Sequence, residues 1–109
     1  MSMGLTAARK AKRCVSDLEY VAAVELLCGA QALEFQRPLK PGRGVRLAYE
    51  AVRERVPPLD GDRVLTPDIE ALRTAIRESI FASITRGVAQ SPSDATAAFP
   101  RITSADGTA

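Results

Sequence analysis

Residues 5–35 read LTAARKAKRCVSDLEYVAAVELLCGAQALEF, with no proline and with Gly29 as the only glycine. Such a run predicts one helix. At ~1.5 Å per residue it makes a rod of about 46 Å. A compact domain of about 100 residues has a radius of gyration near ~13 Å, and so a diameter of about 34 Å. The rod must overhang a single copy of the chain. Over residues 20–33 only Glu25 and Gln31 are strongly polar, and a helix apolar nearly all round belongs inside a bundle. Upstream, Leu5, Ala8, Ala11, Val15, Leu18 and Ala22 follow helical spacing and mark one apolar stripe.

The other face of that first half is basic, with Arg9, Lys10, Lys12 and Arg13 crowded together. Such a cluster can hold phosphate, but no aromatic residues interleave for base stacking. It reads as a solvated face, with Asp17 placed four residues on to pair with Arg13. Ser2 is the expected N-cap, although Gly4 weakens the first turn. Cys14 and Cys28 are about 21 Å apart along the axis, too far for a disulfide within the helix, and read as buried free thiols.

Composition bounds the function. The chain has 109 residues, a net charge of +2, no His and no Trp. That length is one domain with an aliphatic core. The charge is too small to imply a nucleic-acid or anionic-membrane partner. With no His and only Cys14 and Cys28, a zinc site and the Ser-His and Cys-His nucleophile arrangements have no residues to form them. The Met1 end lacks an apolar h-region, and no apolar run reaches the ~20 residues of a membrane span. The expectation is a soluble, cytoplasmic chain.

Beyond Phe35, Arg37-Pro38 and Pro41-Gly42-Arg43-Gly44 form a connector. Val45, Ala48, Tyr49, Val52 and Val56 then give a half-buried stripe and predict a helix over 45–55. On that stripe Tyr49 reads as packing rather than as a catalytic phenol. Pro57-Pro58 stops the helix. Asp60 and Asp62 sit in an acidic loop too poor in oxygen ligands for calcium. A third helix is expected over 67–86, with Thr66 as N-cap, Pro67 in its first turn, and Asp68 and Glu70 near its positive end. Ile69, Leu72, Ile76, Ile80 and Ile84 form its stripe, with Arg73, Arg77 and Glu78 outside, and Gly87 as its stop. Residues 88–109 are rich in Ser, Pro, Asp, Ala, Thr and Gly, and read as a disordered tail that Phe99 and Ile102 could anchor. The fold class is all-α: one long central helix, two shorter ones and a tail.

No phosphate loop, internal repeat or nucleophile motif appears, and Glu19 and Glu25 fall on different helix faces. The order of pieces nevertheless resembles a known family. Ser2-Met3-Gly4, Ala7-Ala8-Arg9-Lys10, Glu19-Tyr20-Val21, Ala23-Val24-Glu25-Leu26-Leu27 and Ala30-Gln31-Ala32-Leu33 are similar to the last part of the histidine ammonia-lyase family of aromatic amino acid lyases. Tyr49-Glu50-Ala51-Val52-Arg53-Glu54, Val56-Pro57, Asp62-Arg63 and Pro67-Asp68-Ile69-Glu70 continue the likeness to about residue 72, where it fades. Met3 leans toward the histidine branch, since the phenylalanine branch usually has Leu there.

The resemblance implies deamination of L-histidine to urocanate and ammonia on a methylidene-imidazolone ring. That ring forms from an Ala-Ser-Gly triplet, and here Ala82-Ser83 is followed by Ile84. The family's catalytic Tyr has no counterpart among the similar residues, and its pocket-lining Gln-Glu pair would precede Ser2, where Met1 stands. No catalytic, substrate-binding or metal residue is therefore expected in this chain, and no cofactor. The resemblance also implies helical homotetramers with shared active sites. Two expectations follow: an ammonia-lyase piece, inactive alone, whose partner is a further copy or the N-terminal part of such an enzyme; or a small self-associating helical module without enzymatic role.

Overall fold

The computed structural model describes residues 3–90 and is all-α over them. It holds α1 (Met3–Phe35), α2 (Arg43–Arg53), α3 (Thr66–Arg77) and α4 (Ile80–Ala89). The helix α1 is unbroken for 33 residues, a rod of about 50 Å. The helices α2 and α3 both lie on α1, and α4 packs on α2 and α3.

The core is aliphatic. Ala23, Ala30, Val52, Val56 and Leu72 are buried together, with Leu26, Leu27, Tyr49, Ile69, Ile76 and Phe81 packed against them. The two alanines of α1 set this arrangement, because a small side chain lets the neighbouring helix backbone approach closely.

Several sequence expectations change. The segment 20–33 is not enclosed: only Ala23 and Ala30 are buried, while Val21 and Val24 stay 54% and 41% exposed. On the overhanging half, Leu5, Val15 and Leu18 are all more than half exposed. Cys14 and Cys28 are free but exposed, not buried, because they lie away from the Ala23–Ala30 face that α2 and α3 cover. Among the described residues, Asp17 makes no ion pair with Arg13, nor does any other acid pair with the four bases around it.

The helix α2 runs Arg43–Arg53 rather than 45–55, with Gly42 extended at its N-cap. Gly44 lies within α2 beneath α4; a Cβ there would make an ordinary contact with Val88 at 3.6 Å. The expected helix 67–86 is two helices. Ser79 adopts φ 59, and the chain turns there before α4 begins. Its carbonyl accepts bonds from both the backbone N–H and the hydroxyl of Ser83, each at 3.0 Å. The turn carries Phe81 and α4 onto α2, which a straight continuation of α3 would have missed. Thr66 is the first helical residue and not the N-cap; Leu65 takes that place with no side-chain bond, and Pro67 stands in the first turn as expected. Gly87 does not stop α4, which continues to Ala89. Ser2 and the tail from residue 91 onward lie outside the described residues.

Candidate functional site

Polar side chains gather where α1 meets its neighbours, in two clusters on either side of the core. In the first, between α1 and α3, Arg73 is 8% exposed. Its guanidinium lies 3.6 Å from the Tyr20 ring centroid, where ring and cation attract. It donates to Glu70 at 3.0 Å, to Ser16 at 3.3 Å and to Glu19 at 3.4 Å. Arg77 donates to the same Glu19 oxygen at 2.8 Å, and the Tyr20 hydroxyl donates to Glu70 at 2.7 Å. Arg73 Nε is the one buried side-chain polar atom without an acceptor among the described residues.

In the second cluster, Glu34 at the end of α1 accepts from the Tyr49 hydroxyl, from Arg53 Nε at 3.0 Å and from Arg37 Nη2 at 2.9 Å. One turn earlier, the Gln31 amide brackets the backbone of Leu59, donating to its carbonyl at 3.1 Å and accepting from its N–H at 3.0 Å. Arg63 closes the same loop. It holds Asp68 at 2.9 Å through Nη2 and the carbonyls of Pro57 and Pro58 at 2.9 Å and 3.1 Å.

Protonation follows these contacts. The Tyr49 hydroxyl bond, aided by Arg37 and Arg53, holds Glu34 below the usual carboxylate range against some desolvation. The Tyr20 hydroxyl bond does the same for Glu70, with Arg73 assisting. Tyr20 is pushed up, chiefly because its proton is held by Glu70. Carboxylates kept ionised and a phenol kept protonated are poor proton shuttles near neutrality. The clusters fasten the helices together.

Between α1, α2 and the start of α4 lies an open groove of about 620 Å³, lined by Ala22, Leu26, Gly29, Leu33, Val45 and Phe81 among others, with Glu25 as its charged residue. Glu19 and Glu25, expected on different faces, are so placed: Glu19 joins the Arg73 cluster and Glu25 the groove. Tyr49 packs as expected, with its hydroxyl spent on Glu34. No three His, Cys, Asp or Glu residues converge on a metal position among the described residues, Asp60 and Asp62 included. No described helix is long and apolar enough to cross a membrane.

Ala82-Ser83-Ile84 does not fit formation of the methylidene-imidazolone ring. The segment is helical within α4, the Ser83 hydroxyl is bonded to Ser79, and a half-buried Ile84 stands where the ring-forming chemistry uses Gly. The sequence reading missed Arg73, which it set outside the α3 stripe. Its spacing from Glu70 was visible; its landing on Tyr20 and Glu19 of α1 was not, since those lie more than 50 positions away.

The sequence profile of the aromatic amino acid lyase family matches residues 1–54, which hold α1 and α2. Histidine ammonia-lyase of Symbiobacterium thermophilum is 51% identical over 89 residues, 82% of this chain and 18% of that protein. Histidine ammonia-lyases of Gloeobacter violaceus and Natranaerobius thermophilus are 51% and 47% identical over 70 and 83 residues, covering 64% and 76% of this chain and 14% and 16% of theirs. An 89-residue match within a 109-residue chain reaches into α4, beyond the limit near Leu72 read from the motifs. No solved structure matches the chain. The chain spans less than a fifth of the length of these relatives. On this similarity, and with α1 and α2 both inside the matched region, the chain belongs to the aromatic amino acid lyase family.

Proposed function

We propose that this chain is the C-terminal helical part of a histidine ammonia-lyase-like protein and supplies framework, not reacting groups, to the conversion of L-histidine to urocanate and ammonia. The observation that supports this most strongly is what the matched side chains do. Gln31, Glu34, Tyr49 and Arg53, all within the family-matched residues, are committed to joining α1, α2 and the loop at Leu59. None of these side chains is left free as a nucleophile or a base. The chain contributes no electrophilic ring, and its partners are the N-terminal portion of an ammonia-lyase and further copies of itself, in the cytoplasm.

Urocanate absorbance provides the test. The purified chain is expected to give no turnover of L-histidine, and turnover by this polypeptide alone would refute the framework role. Mixing it with an N-terminal ammonia-lyase portion that carries the ring-forming triplet should generate activity if the two act as separate subunits. The uncovered apolar length of α1 supports a second reading, a self-associating helical module; activity in the mixture would count against that reading as the whole function.

A further inference from the structure

We infer that the groove between α1, α2 and the start of α4 is the seat of the chain's own tail, with Phe99 and Ile102 entering it and Arg101 pairing with Glu25. The groove is apolar along most of its lining. Its α1 wall runs from Ala22 through Gly29 to Leu33, its other walls carry Val45 and Phe81, and Glu25 is its one charged residue. Val45 stays 53% exposed, and nothing among the described residues lies within 4 Å of a Cβ at Gly29. At about 620 Å³ the groove falls within the ~300–1,000 Å³ of sites that enclose a ligand. Apolar surface of this extent favours an occupant over water.

The point at which the described chain ends selects the occupant. Val88 lies 3.6 Å from where a Cβ on Gly44 would stand, and Gly44 precedes Val45 of the groove lining. The chain therefore leaves α4, which ends at Ala89, beside the Val45 end of the groove. Nine steps lead from Gln90 to Phe99, a reach of up to about 30 Å at ~3.3 Å per residue. The α1 wall from Ala22 to Leu33 is only about 17 Å long. The whole groove is within reach, and a tethered segment meets its site at an effective concentration on the order of 1 mM. A separate molecule at lower concentration has no such advantage.

Composition selects the part of the tail. Among residues 91–109 the only large apolar side chains are Phe99 and Ile102, and the only base is Arg101 between them. Pro100 biases Phe99 to extended geometry, and at three residues per turn an extended run of that kind sets Phe99 and Ile102 on one side. Proline also leaves less freedom to lose on docking. Glu25 makes no ion pair among the described residues, and it offers Arg101 the one anionic point amid apolar side chains. The tail is then an intramolecular cover, which any other occupant of the groove must first displace. This inference stands on the groove and the tail and holds whether or not the chain serves an ammonia-lyase.

Paramagnetic broadening in the full chain tests the docking. A spin label is placed on Ser104→Cys in a Cys14→Ser, Cys28→Ser background, and amide signals are recorded over a series of protein concentrations. The amides of Gly29, Val45 and Ala48 should broaden to the same degree at every concentration, and those of Leu5 and Leu18 should not. Phe99→Asp should weaken docking about tenfold, since the buried ring is its largest apolar contact. Glu25→Arg and Arg101→Glu should each weaken it about threefold, the size expected of a partly exposed pair. The two together should restore it to within about twofold of the natural chain, because the pair is again of opposite sign. Circular dichroism will confirm unchanged helix content in each variant. A groove that shows no broadening, or broadening spread equally over Leu5 and Leu18, would overturn the inference. So would broadening that grows with concentration, which would seat a second copy there, or failure of the double variant to restore docking.

Discussion

The two halves of α1 are one continuous helix with opposite fates. From Ser16 to Glu34 it is the surface on which the rest of the described chain is assembled, through Ala23 and Ala30 in the middle and the Arg73 and Glu34 clusters on either side. From Met3 to Val15 none of the other described residues covers it. Local propensity is similar along both halves, since Ala, Leu, Arg and Lys are all good helix formers. What separates them is tertiary: only the second half has α2 and α3 against it. A helix end without packing is at the low end of local stability and frays first.

That contrast is broken most sharply at Leu72. Its side chain is fully buried against the second half, and Leu72→Ala should cost about 2–5 kcal/mol through lost burial and the cavity left behind. Leu18→Ala on the uncovered stripe should change stability by less than about 0.5 kcal/mol. Urea denaturation at low protein concentration measures both, and equal effects would mean that the overhanging half is covered in the single chain after all.

The polar clusters should reveal themselves by pH. Glu34 and Glu70 are held below the usual carboxylate range, so their contribution is complete above about pH 4.3 and is lost as pH falls through their lowered values. Tyr20 is shifted the other way; its contribution is complete below about pH 10 and is lost as pH rises through the raised value. Thermal melts should therefore show a plateau between these limits. Tyr20→Phe should remove the alkaline fall while leaving most of the acid limb, which Glu34 still carries.

How much of this could be read beforehand follows the range of the interactions. The length of α1, its overhang, the α2 stripe and the family likeness all rest on neighbours within a few turns, and all were legible. The break at Ser79 was not, because Ile76, Ile80 and Ile84 keep one helical period across it; the left-handed turn at Ser79 lays α4 against α2 and α3, a packing that local spacing does not encode. Arg73 was misplaced for the same reason: charge argues for solvent, and the Tyr20 ring that covers it comes from the other end of the described chain. The cysteines failed more simply. A segment apolar nearly all round cannot say which of its faces is covered, and Cys28 lies on the one that is not.

Ser79 offers the next test of where the chain is forced. A non-glycine residue at φ 59 is held there by the helices on either side. The side chain of Ser79 is exposed and makes no cap bond to α4. Ser79→Gly should therefore stabilise the chain by about 1 kcal/mol, the relief of the left-handed conformation outweighing the extra freedom of the unfolded glycine. A loss of stability would show that the hydroxyl matters at this turn.

The smallest effect expected is also the most discriminating between the covered and uncovered faces. Gly29 sits inside α1 with nothing among the described residues within 4 Å of a Cβ at that position. Gly29→Ala should stabilise the lone chain by about 0.5–1 kcal/mol, the ordinary difference between the two residues inside a helix. In a Phe99→Asp chain that gain should appear in full on urea denaturation. In the natural chain a tail lying in the groove would approach the Gly29 backbone, and the added methyl would hold it off, so the gain should be smaller. A gain that is the same in both chains would mean that the groove stays open.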